Sequence, residues 1–599
     1  MSTYLVAIGE KILIDKLNHV ICDLPGSVKE ELRLENLSNE CSALFLGKTV
    51  DKMKSTEHGG DFFSGWLLDH QDSSITLGQC GFNQLERNSD DTNYTTKEGS
   101  FIHANWGPNF FKIQHDCFGL YPILYFYSEG LFVASDSLLT LARLRTLMGM
   151  ENKINRAVHS TRSWTHGLAC NIMSTQTIIQ SIQYLPPASS ISIIPHLNNS
   201  NVSLEVSINI PNYQDVFKKN ERPYLEELQE CIAQIVGSIS AIQSLQETEL
   251  MLGLSGGLDS RILFAIVKKS WPNLKQIDIR SNTHISRKDD YEIAYHLSKV
   301  FKFDLNKGDN TSNISDRSGA KVLRIDNMFG NWALSNLGLF DMTYMYRSYW
   351  NHPVLIEIGG HGAEIVKGTF SKTNLFKIGF RRKIANYLRK RSEIRAGLKT
   401  IGIGFRDKRK MQWHHLAYKS AIQNGRSLDR TMLSLRPLMN KRLCCLGLHA
   451  PNGEPNTILQ DMLIIIDSDL AEIPFDKVEK NISKTAISAI ISEIEQMDRL
   501  KKIQPYKLRG GILDMKNGVL ESFKIFGDEF EYDDSGNIKL CLKNKMKEIW
   551  NQLDSKSIIN QYSDAHTLAL ERLTDENSYS PAAGTPAAKI FSLTLPDEV

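Results

Sequence analysis

The sequence predicts an α/β protein built from at least two domains. Its 599 residues exceed what one hydrophobic core ordinarily holds, so the chain is expected to divide. Residues 250–267 contain an apolar strand, a glycine turn and an apolar helix, and strand-like and helical segments then alternate at 276–280, 288–300 and 354–358. Such alternation predicts a parallel sheet that binds its ligand at the carboxyl ends of the strands.

The N-terminal region predicts a separate layered domain. Short apolar stretches broken by Gly, Asn, Asp and Ser are typical of strands, and the clearest cover 110–113, 122–127 and 131–134. Residues 198–213 are polar and lack a helical period, so we expect a linker there. Apolar residues at helical spacing then predict a helix over 224–245, which leads into the strand before the glycine turn.

These patterns define three regions. We predict one domain over residues 1–200 and a second over 215–560. The stretch 575–599 contains several Ser, Pro, Ala and Gly residues, and we predict that it is poorly structured.

Residues 254–261 read Leu-Ser-Gly-Gly-Leu-Asp-Ser-Arg and predict a phosphate-binding turn. Gly256 and Gly257 let backbone N–H groups approach an anion closely, and the start of the following helix adds partial positive charge. No Gly-Lys-Ser/Thr follows, so the turn is not a Walker loop. A plain surface turn is the other interpretation of the same residues.

Polar side chains in the same turn support the phosphate interpretation. Ser255 and Ser260 can donate hydroxyl hydrogen bonds to phosphate oxygens. A carboxylate at Asp259 fits a site in which Mg²⁺ bridges it to a phosphate.

Composition excludes several classes of protein. Apolar residues at 41% and charged residues at 23% are ordinary globular values. No run of about 18 apolar residues predicts a membrane span, and the N-terminus lacks the pattern of a signal peptide. The nine cysteines are scattered without a Cys-x-x-Cys motif. We therefore predict a cytoplasmic protein with reduced thiols and no structural metal.

Positive charge is concentrated in one segment. Residues 367–410 contain fifteen Lys and Arg against two acids, a net +13, so the rest of the chain carries −11. One interpretation is a pair of solvated helices; another is a surface that docks an acidic precursor peptide or partner protein. No nucleic-acid-binding motif accompanies the charge, so nucleic acid is not an expected partner.

Several motifs, in order, resemble those of one family. Residues 116–125 resemble the Asp-x-x-Gly-x-x-Pro-Leu-Tyr-Tyr signature of asparagine synthetases, and 182–188 resemble the segment that closes their N-terminal domain. Residues 360–364 resemble Gly-x-Gly-x-Asp, and 436–440 resemble Arg-x-Pro-Phe-Leu-Asp. The resemblance covers roughly 1–480 and is to the asparagine synthetase-like family, which includes β-lactam synthetases and lasso-peptide cyclases.

This resemblance implies a fold and an activity. It implies an N-terminal αββα sandwich like that of N-terminal-nucleophile hydrolases and a C-terminal pyrophosphate-loop ATPase domain with a parallel sheet and a helical extension. Members use ATP and Mg²⁺ to convert a carboxylate into an acyl-adenylate, releasing pyrophosphate, and an amine then displaces AMP. The implied substrate carries a carboxylate and an amine on a small molecule or peptide.

The resemblance also assigns residues. Asp259 and Glu364 correspond to the two magnesium-binding carboxylates, although Glu replaces the usual Asp. A lysine from the C-terminal region usually neutralises pyrophosphate. Among the candidates we favour Lys507, because Pro505-Tyr506-Lys507 precedes a Gly-Gly turn. The other lysines in the plausible span are Lys477, Lys480, Lys484, Lys501 and Lys502. The remaining nucleotide-binding positions are Leu254, Ser255, Gly256, Gly257, Ser260, Gly360 and Gly362.

One departure from the family bears on the ammonia source. Glutamine-using members carry a nucleophilic cysteine after the initiator Met, whereas this chain carries Ser2. A serine hydroxyl is far less ionised than a cysteine thiol and is therefore a weaker nucleophile. We therefore predict an inactive glutaminase-like domain.

The predicted function is a glutamine-independent amide-bond ligase that makes a natural product, such as a lasso peptide, another macrolactam or a related antibiotic ring. An amidotransferase that converts a carboxylate to a carboxamide is an alternative within the family. A tRNA-modifying adenylating enzyme is an alternative of another class, and the N-terminal motifs disfavour it.

Overall fold

A computed structural model describes most of the chain. The residues outside the description are 1–3, 22–30, 48, 86–92, 164–169, 199–200, 246–247, 272, 284–286, 308–320, 323–335, 342–349, 352–354, 371–383, 426–432, 451–455, 498–502, 516–537, 576–579 and 595–599. Ser2 lies among them.

The N-terminal strands are β1 (Tyr4–Glu10), β2 (Leu32–Asn36), β3 (Cys41–Gly47), β4 (Lys54–Thr56), β5 (Gly59–Asp69), β6 (Ser74–Leu77), β7 (Glu98–Gly107), β8 (Phe110–His115), β9 (Ile123–Ser128), β10 (Leu131–Ser135), β11 (Gln183–Leu185), β12 (Ser190–Asn198) and β13 (Asn201–Asn209). The helices of this part are α1 (Lys11–Ile21), α2 (Gly78–Phe82), α3 (Leu138–Leu147) and α4 (Arg156–Arg162).

The C-terminal strands are β14 (Glu249–Gly253), β15 (Asp278–Arg280), β16 (Lys321–Val322), β17 (Trp350–Asn351), β18 (Leu355–Ile358), β19 (Leu433–Leu435) and β20 (Lys507–Arg509). The helices are α5 (Tyr213–Val216), α6 (Tyr224–Ala241), α7 (Leu258–Ser270), α8 (Lys288–Phe301), α9 (Ala363–Val366), α10 (Ile384–Thr400), α11 (Lys410–His414), α12 (Ala421–Gly425), α13 (Lys441–His449), α14 (Thr457–Ile466), α15 (Ser468–Glu472), α16 (Lys484–Gln496), α17 (Ile538–Gln552), α18 (Lys556–Thr574) and α19 (Ser580–Phe591). A π-helix, His415–Ser420, joins α11 to α12.

Two sheets form a sandwich in the N-terminal part. One has the order β11-β9-β10-β1-β3-β2, and the other has the order β13-β12-β8-β7-β5-β6-β20, with β4 beside β5. Alternation along β1 shows why the layers form, since Tyr4 and Val6 pack between the sheets while Leu5 and Ala7 face a helix-covered core. Helices α1 and α3 cover that outer face, as the predicted layered domain requires.

The second sheet is covered by helices from both halves of the chain. Phe63 and Phe101 pack against Phe82 of α2. Trp66 and Ile75 instead join the core that contains α6 and the C-terminal sheet. The αββα arrangement is therefore completed by a helix that also belongs to the C-terminal half.

The C-terminal half contains the predicted parallel sheet. Its order is β15-β14-β18-β19, and every pairing in it is parallel. Helices α7 and α14 pack on it with apolar residues. Because the strands run the same way, the turns after β14, β18 and β19 meet at one edge.

The structure corrects the predicted linker over 198–213. Asn201–Asn209 forms β13, which pairs antiparallel along the length of β12. Val202, Leu204 and Val206 alternate toward the sandwich core, a period of two that interspersed Asn, Ser and Glu residues hid. The N-terminal sandwich thus extends beyond residue 200.

The C-terminal tail also differs from its prediction as poorly structured. Ser580–Phe591 forms α19, and Ala588, Ile590 and Phe591 are fully buried. Alanine is the strongest helix former, and apolar residues at the end of the helix give it a face to bury. These two contributions outweigh the helix-breaking tendency of Pro586. Among the described helices, none is long and apolar enough to cross a membrane.

Candidate active site

The glycine turn lies at the carboxyl edge of the parallel sheet. β14 ends at Gly253, and α7 begins at Leu258 with Gly257 as its N-cap. The Leu254 N–H donates to the Arg280 carbonyl at 2.7 Å, which ties the turn to the end of β15. The predicted strand, turn and helix are all present at the predicted positions.

Two serine hydroxyls brace this turn. Ser255 Oγ lies 2.9 Å from Ser260 Oγ, and the Ser255 N–H donates to Ser260 Oγ at 3.0 Å. The Gly257 N–H donates to Ser255 Oγ at 3.3 Å. The hydroxyls therefore hold the open turn in shape before any phosphate contact is made.

Gly256 is where other chain segments approach the turn most closely. A Cβ on Gly256 would lie 2.7 Å from Cβ of Asp476, so a side chain there requires the neighbouring segment to move. The Gly256 N–H donates to Oδ1 of Asp290 at 3.0 Å. A carboxylate from the first turn of α8 thus occupies an amide that the sequence assigned to a phosphate.

The second glycine motif approaches the first. A Cβ on Gly360 would lie 3.7 Å from Cβ of Asp259, so the turns after β14 and β18 adjoin. Gly362 has φ +101° and caps the start of α9, and its N–H donates to Oε2 of Glu364 at 2.9 Å. Gly362 thus has a backbone role in shaping the motif.

The two candidate magnesium carboxylates each contact a basic side chain. Asp259 Oδ1 lies 2.5 Å from Nζ of Lys367, and Glu364 Oε1 lies 3.5 Å from Nε2 of His415. Burial raises the pKa of Glu364, but the hydrogen bond and charge of His415 and the charge of His361 outweigh it, and the pKa falls to about 2. Glu364 is therefore anionic near neutral pH, as a metal ligand must be.

No cluster of three or more His, Cys, Asp or Glu side chains suited to a metal occurs among the described residues. The residues present still fit Mg²⁺ in one respect, because an ionised Asp259 beside the phosphate-binding turn supplies the oxygen ligand that this ion prefers. A metal at this site would take its remaining ligands from phosphate oxygens and water.

A C-terminal segment docks on the start of α7. The Arg261 guanidinium lies 3.7 Å from the centroid of the Phe475 ring and donates to the carbonyls of Ile473 and Pro474. This contact places Asp476 over Gly256, and Asp476 holds Lys480 at 2.7 Å.

Lys507 lies elsewhere. It begins β20, its N–H donates to the Ser73 carbonyl, and its exposed Nζ is 4.0 Å from Asp72 of the N-terminal domain. The contacts around Lys480 reach the glycine turn, whereas those of Lys507 reach the sandwich. Lys480 therefore lies near the glycine turn, whereas Lys507 lies at the edge of the sandwich.

Sequence reasoning missed the site residues supplied by distant segments. Lys367, His415 and Asp476 follow no motif, and only their contacts identify them. Lys367 does sit three residues after Glu364, a spacing that places both on one helical face. Asp290, in the first turn of α8, also follows no motif.

The N-terminal signature has a structural role. Asp116 is fully buried and accepts N–H bonds from Phe118, Leu120 and Tyr121 at 2.9, 3.2 and 3.4 Å. Gly119 has φ +62°, which glycine adopts without strain. The motif thus encodes a tight turn between β8 and β9, and no reactive group is exposed there.

No family model and no curated protein matches the chain. Among solved structures, glutamine phosphoribosylpyrophosphate amidotransferase from B. subtilis complexed with ADP and GMP is 11% identical, with 61% of this chain and 77% of that chain covered and a TM-score of 0.19. A structure described as the allosteric regulatory enzyme of purine biosynthesis is 10% identical, with 65% and 78% covered and a TM-score of 0.20. Similarity at these TM-scores does not identify a shared fold.

Proposed function

We propose that the chain is an ATP-dependent, AMP-forming carbon–nitrogen ligase. The observation that carries the proposal is the glycine turn over 254–260, which sits at the carboxyl edge of a parallel sheet with Asp259 beside Gly360. An edge of this kind binds nucleotides in open α/β sheets, and amides at a helix start bind phosphate.

The reaction proceeds in two displacements. A substrate carboxylate oxygen attacks the α-phosphorus of ATP, the bond from that phosphorus to the bridging oxygen breaks, and pyrophosphate leaves. An amine nitrogen then attacks the acyl carbon, AMP leaves with the electron pair of the broken bond, and the nitrogen loses a proton. Mg²⁺, held by Asp259 with Glu364 nearby, would supply positive charge to the phosphates.

Charged side chains around the turn suit this chemistry. Asp259 pairs with Lys367, and Asp476 pairs with Lys480. Two lysines therefore lie beside the turn, each in an ion pair with a carboxylate. An incoming triphosphate offers both lysines a stronger partner and leaves Asp259 able to take the metal. Developing charge on the leaving pyrophosphate is then stabilised by groups already in place.

The substrate class follows from the sequence and from the exposed cations. With Ser2 in place of a cysteine, we propose an amine carried by the substrate and a cyclised or otherwise amide-linked product, such as a peptide macrolactam. Part of the 367–410 segment is available to dock an acidic precursor: its exposed cations are Arg389, Arg391, Arg395, Lys399, Arg406 and Lys408. Carboxamide formation from ammonia is the alternative product.

The proposal is tested by pyrophosphate release from ATP across a panel of carboxylic acids, with amines, ammonium or glutamine as nitrogen donors. We expect release with AMP as coproduct and no dependence on glutamine. Asp259→Asn should lower the rate at least about 100-fold, whereas Asp289→Asn, a matched change at an exposed residue, should leave it unchanged. ADP as the product, or full activity of Asp259→Asn, would contradict the proposal.

The lysine assignment has its own test. Lys480→Ala should lower the rate of pyrophosphate release about 100-fold, because it removes a cation beside the turn. Lys507→Ala, on the edge of the sandwich, should retain most of the activity. The reverse ranking would restore Lys507 as the catalytic lysine.

A further inference from the structure

A second charged centre lies away from the glycine turn, where four chain segments meet. It contains Arg162 at the end of α4, Lys390 in α10, Lys589 in α19 and the carboxylate of Asp341. Each of these side chains is at most 2% exposed. We call this group the basic centre.

The guanidinium of Arg162 is only partly satisfied. Nη2 donates to Oδ1 of Asp341, while Nε and Nη1 are buried without a hydrogen-bond acceptor among the described residues. Two unmade hydrogen bonds on a buried cation carry a large desolvation cost. Arginine presents these donors as a planar fork, the geometry that a carboxylate or a phosphate matches.

Two lysine side chains lie beside this fork. Lys589 Nζ donates to the Arg162 carbonyl at 3.1 Å and lies 3.9 Å from Oδ2 of Asp341. Lys390 is close enough to Lys589 to be repelled by it, and burial together with this repulsion lowers the pKa of Lys390 to about 7. Lys390 and Lys589 thus lie beside the Arg162–Asp341 pair.

Other polar groups at the basic centre are neutral or act as donors. Ser592 Oγ donates to Asp341 Oδ1 at 3.0 Å, which uses an acceptor that Arg162 also contacts. Tyr562 donates to the carbonyl of His159, and burial lowers the pKa of His159 to about 4. The thiol of Cys170 lies within electrostatic reach of both lysines.

We propose that the basic centre binds an anion, namely a carboxylate or a phosphate-type oxyanion, on the open fork of Arg162 with Lys390 and Lys589 adding charge. The group is either a free oxyanion or an acidic group of the acyl substrate. Its binding is separate from nucleotide binding at the glycine turn. Binding of a free oxyanion does not depend on the proposed function, whereas binding of a substrate carboxylate rests on it.

The test is a titration of the full chain with inorganic phosphate and, separately, with glutarate, at constant ionic strength, followed by calorimetry and thermal unfolding. We expect saturable binding and a rise in melting temperature. Arg162→Lys and Lys390→Met should each weaken the tighter probe about tenfold, the value of one charge-assisted contact. Lys399→Met, an exposed lysine of the same helix, should bind as the wild type does.

Controls separate this site from the glycine turn. Gly256→Ala introduces the 2.7 Å contact with Asp476 and should leave the titration unchanged if the anion binds at the basic centre. Loss of binding in Gly256→Ala, or unchanged binding in both Arg162→Lys and Lys390→Met, would overturn the proposal, as would an equal effect of chloride. Preference for phosphate would identify a free oxyanion, and preference for glutarate would identify a substrate carboxylate.

Discussion

Asp290 shows how a single carboxylate changes the chemistry of an anion site. Its Oδ1 accepts the Gly256 N–H, so an internal acid competes with phosphate for an amide of the glycine turn. The nearby Arg287 lies 3.4 Å from the other carboxylate oxygen and offsets part of the charge. Nucleotide binding at the turn therefore requires Asp290 to give up this contact.

We predict that Asp290→Asn lowers the dissociation constant of pyrophosphate about threefold to tenfold when Mg²⁺ is absent, because the competing charge is removed while a weaker acceptor remains. Isothermal titration measures this. Asp289→Asn, at the exposed neighbouring position, should bind as the wild type does. Weaker binding by Asp290→Asn would instead identify Asp290 as part of the ligand site.

Asp116 makes stability depend on pH. Burial raises its pKa, and the N–H bonds that it accepts lower it again, leaving the pKa at about 7. A raised acid pKa means that the folded state holds a proton that the unfolded state has already released. Asp116 therefore contributes stability below its unfolded pKa, and this contribution is lost as pH rises toward 7.

In the wild type, the unfolding free energy should fall by about 1 kcal/mol per pH unit between pH 5 and pH 7 because of Asp116. We predict that Asp116→Asn abolishes this fall. Urea unfolding at several pH values measures it, with Asp304→Asn as an exposed control. Equal slopes for Asp116→Asn and the wild type would contradict the shifted pKa.

At the scale of elements, the sequence predicted what is local and missed what is distant. The strand, turn and helix around 250–267 follow from period and glycine placement, and the structure confirms them. The pairing of β20 with β6 has no such signal, because three residues carry too little pattern and their partner lies in the other domain. The same holds for Asp476, whose segment docks on Arg261.

Arg261 links helix α7 to this C-terminal segment. We predict that Arg261→Lys lowers the unfolding free energy by about 2 kcal/mol, because lysine cannot both donate to two carbonyls and stack on Phe475. Pyrophosphate release should fall with it, since Asp476 and Lys480 lose their anchor. Chemical denaturation and initial rates measure the two effects, and Lys269→Arg on the exposed face of α7 is the matched control. Unchanged rates would show that the segment is not part of the site.

At the scale of the whole molecule, the C-terminal helix is part of the fold. Ile590 and Phe591 are fully buried, and Lys589 reaches Arg162 in the N-terminal half. The C-terminal helix thus packs into the core, although its composition predicted a poorly structured tail.

We predict that truncation after Asp575 lowers the first thermal transition by about 5 °C or more, since it removes α19 and exposes the core that this helix covers. Truncation after Thr594 removes only the last five residues and should leave the transition in place. Differential scanning calorimetry compares the two. Equal transitions would mean that α19 contributes nothing to stability.

The strand Lys507–Arg509 has a consequence for any attempt to divide the gene. It closes the border of a sheet that otherwise belongs to the first 209 residues. A fragment that ends near residue 210 would lack β20 and leave β6 as an edge strand with unpaired backbone amides and carbonyls. Such an edge is a template for fibrous self-association. Producing this fragment together with the rest of the chain in the same cell should restore its solubility, because the rest of the chain carries β20.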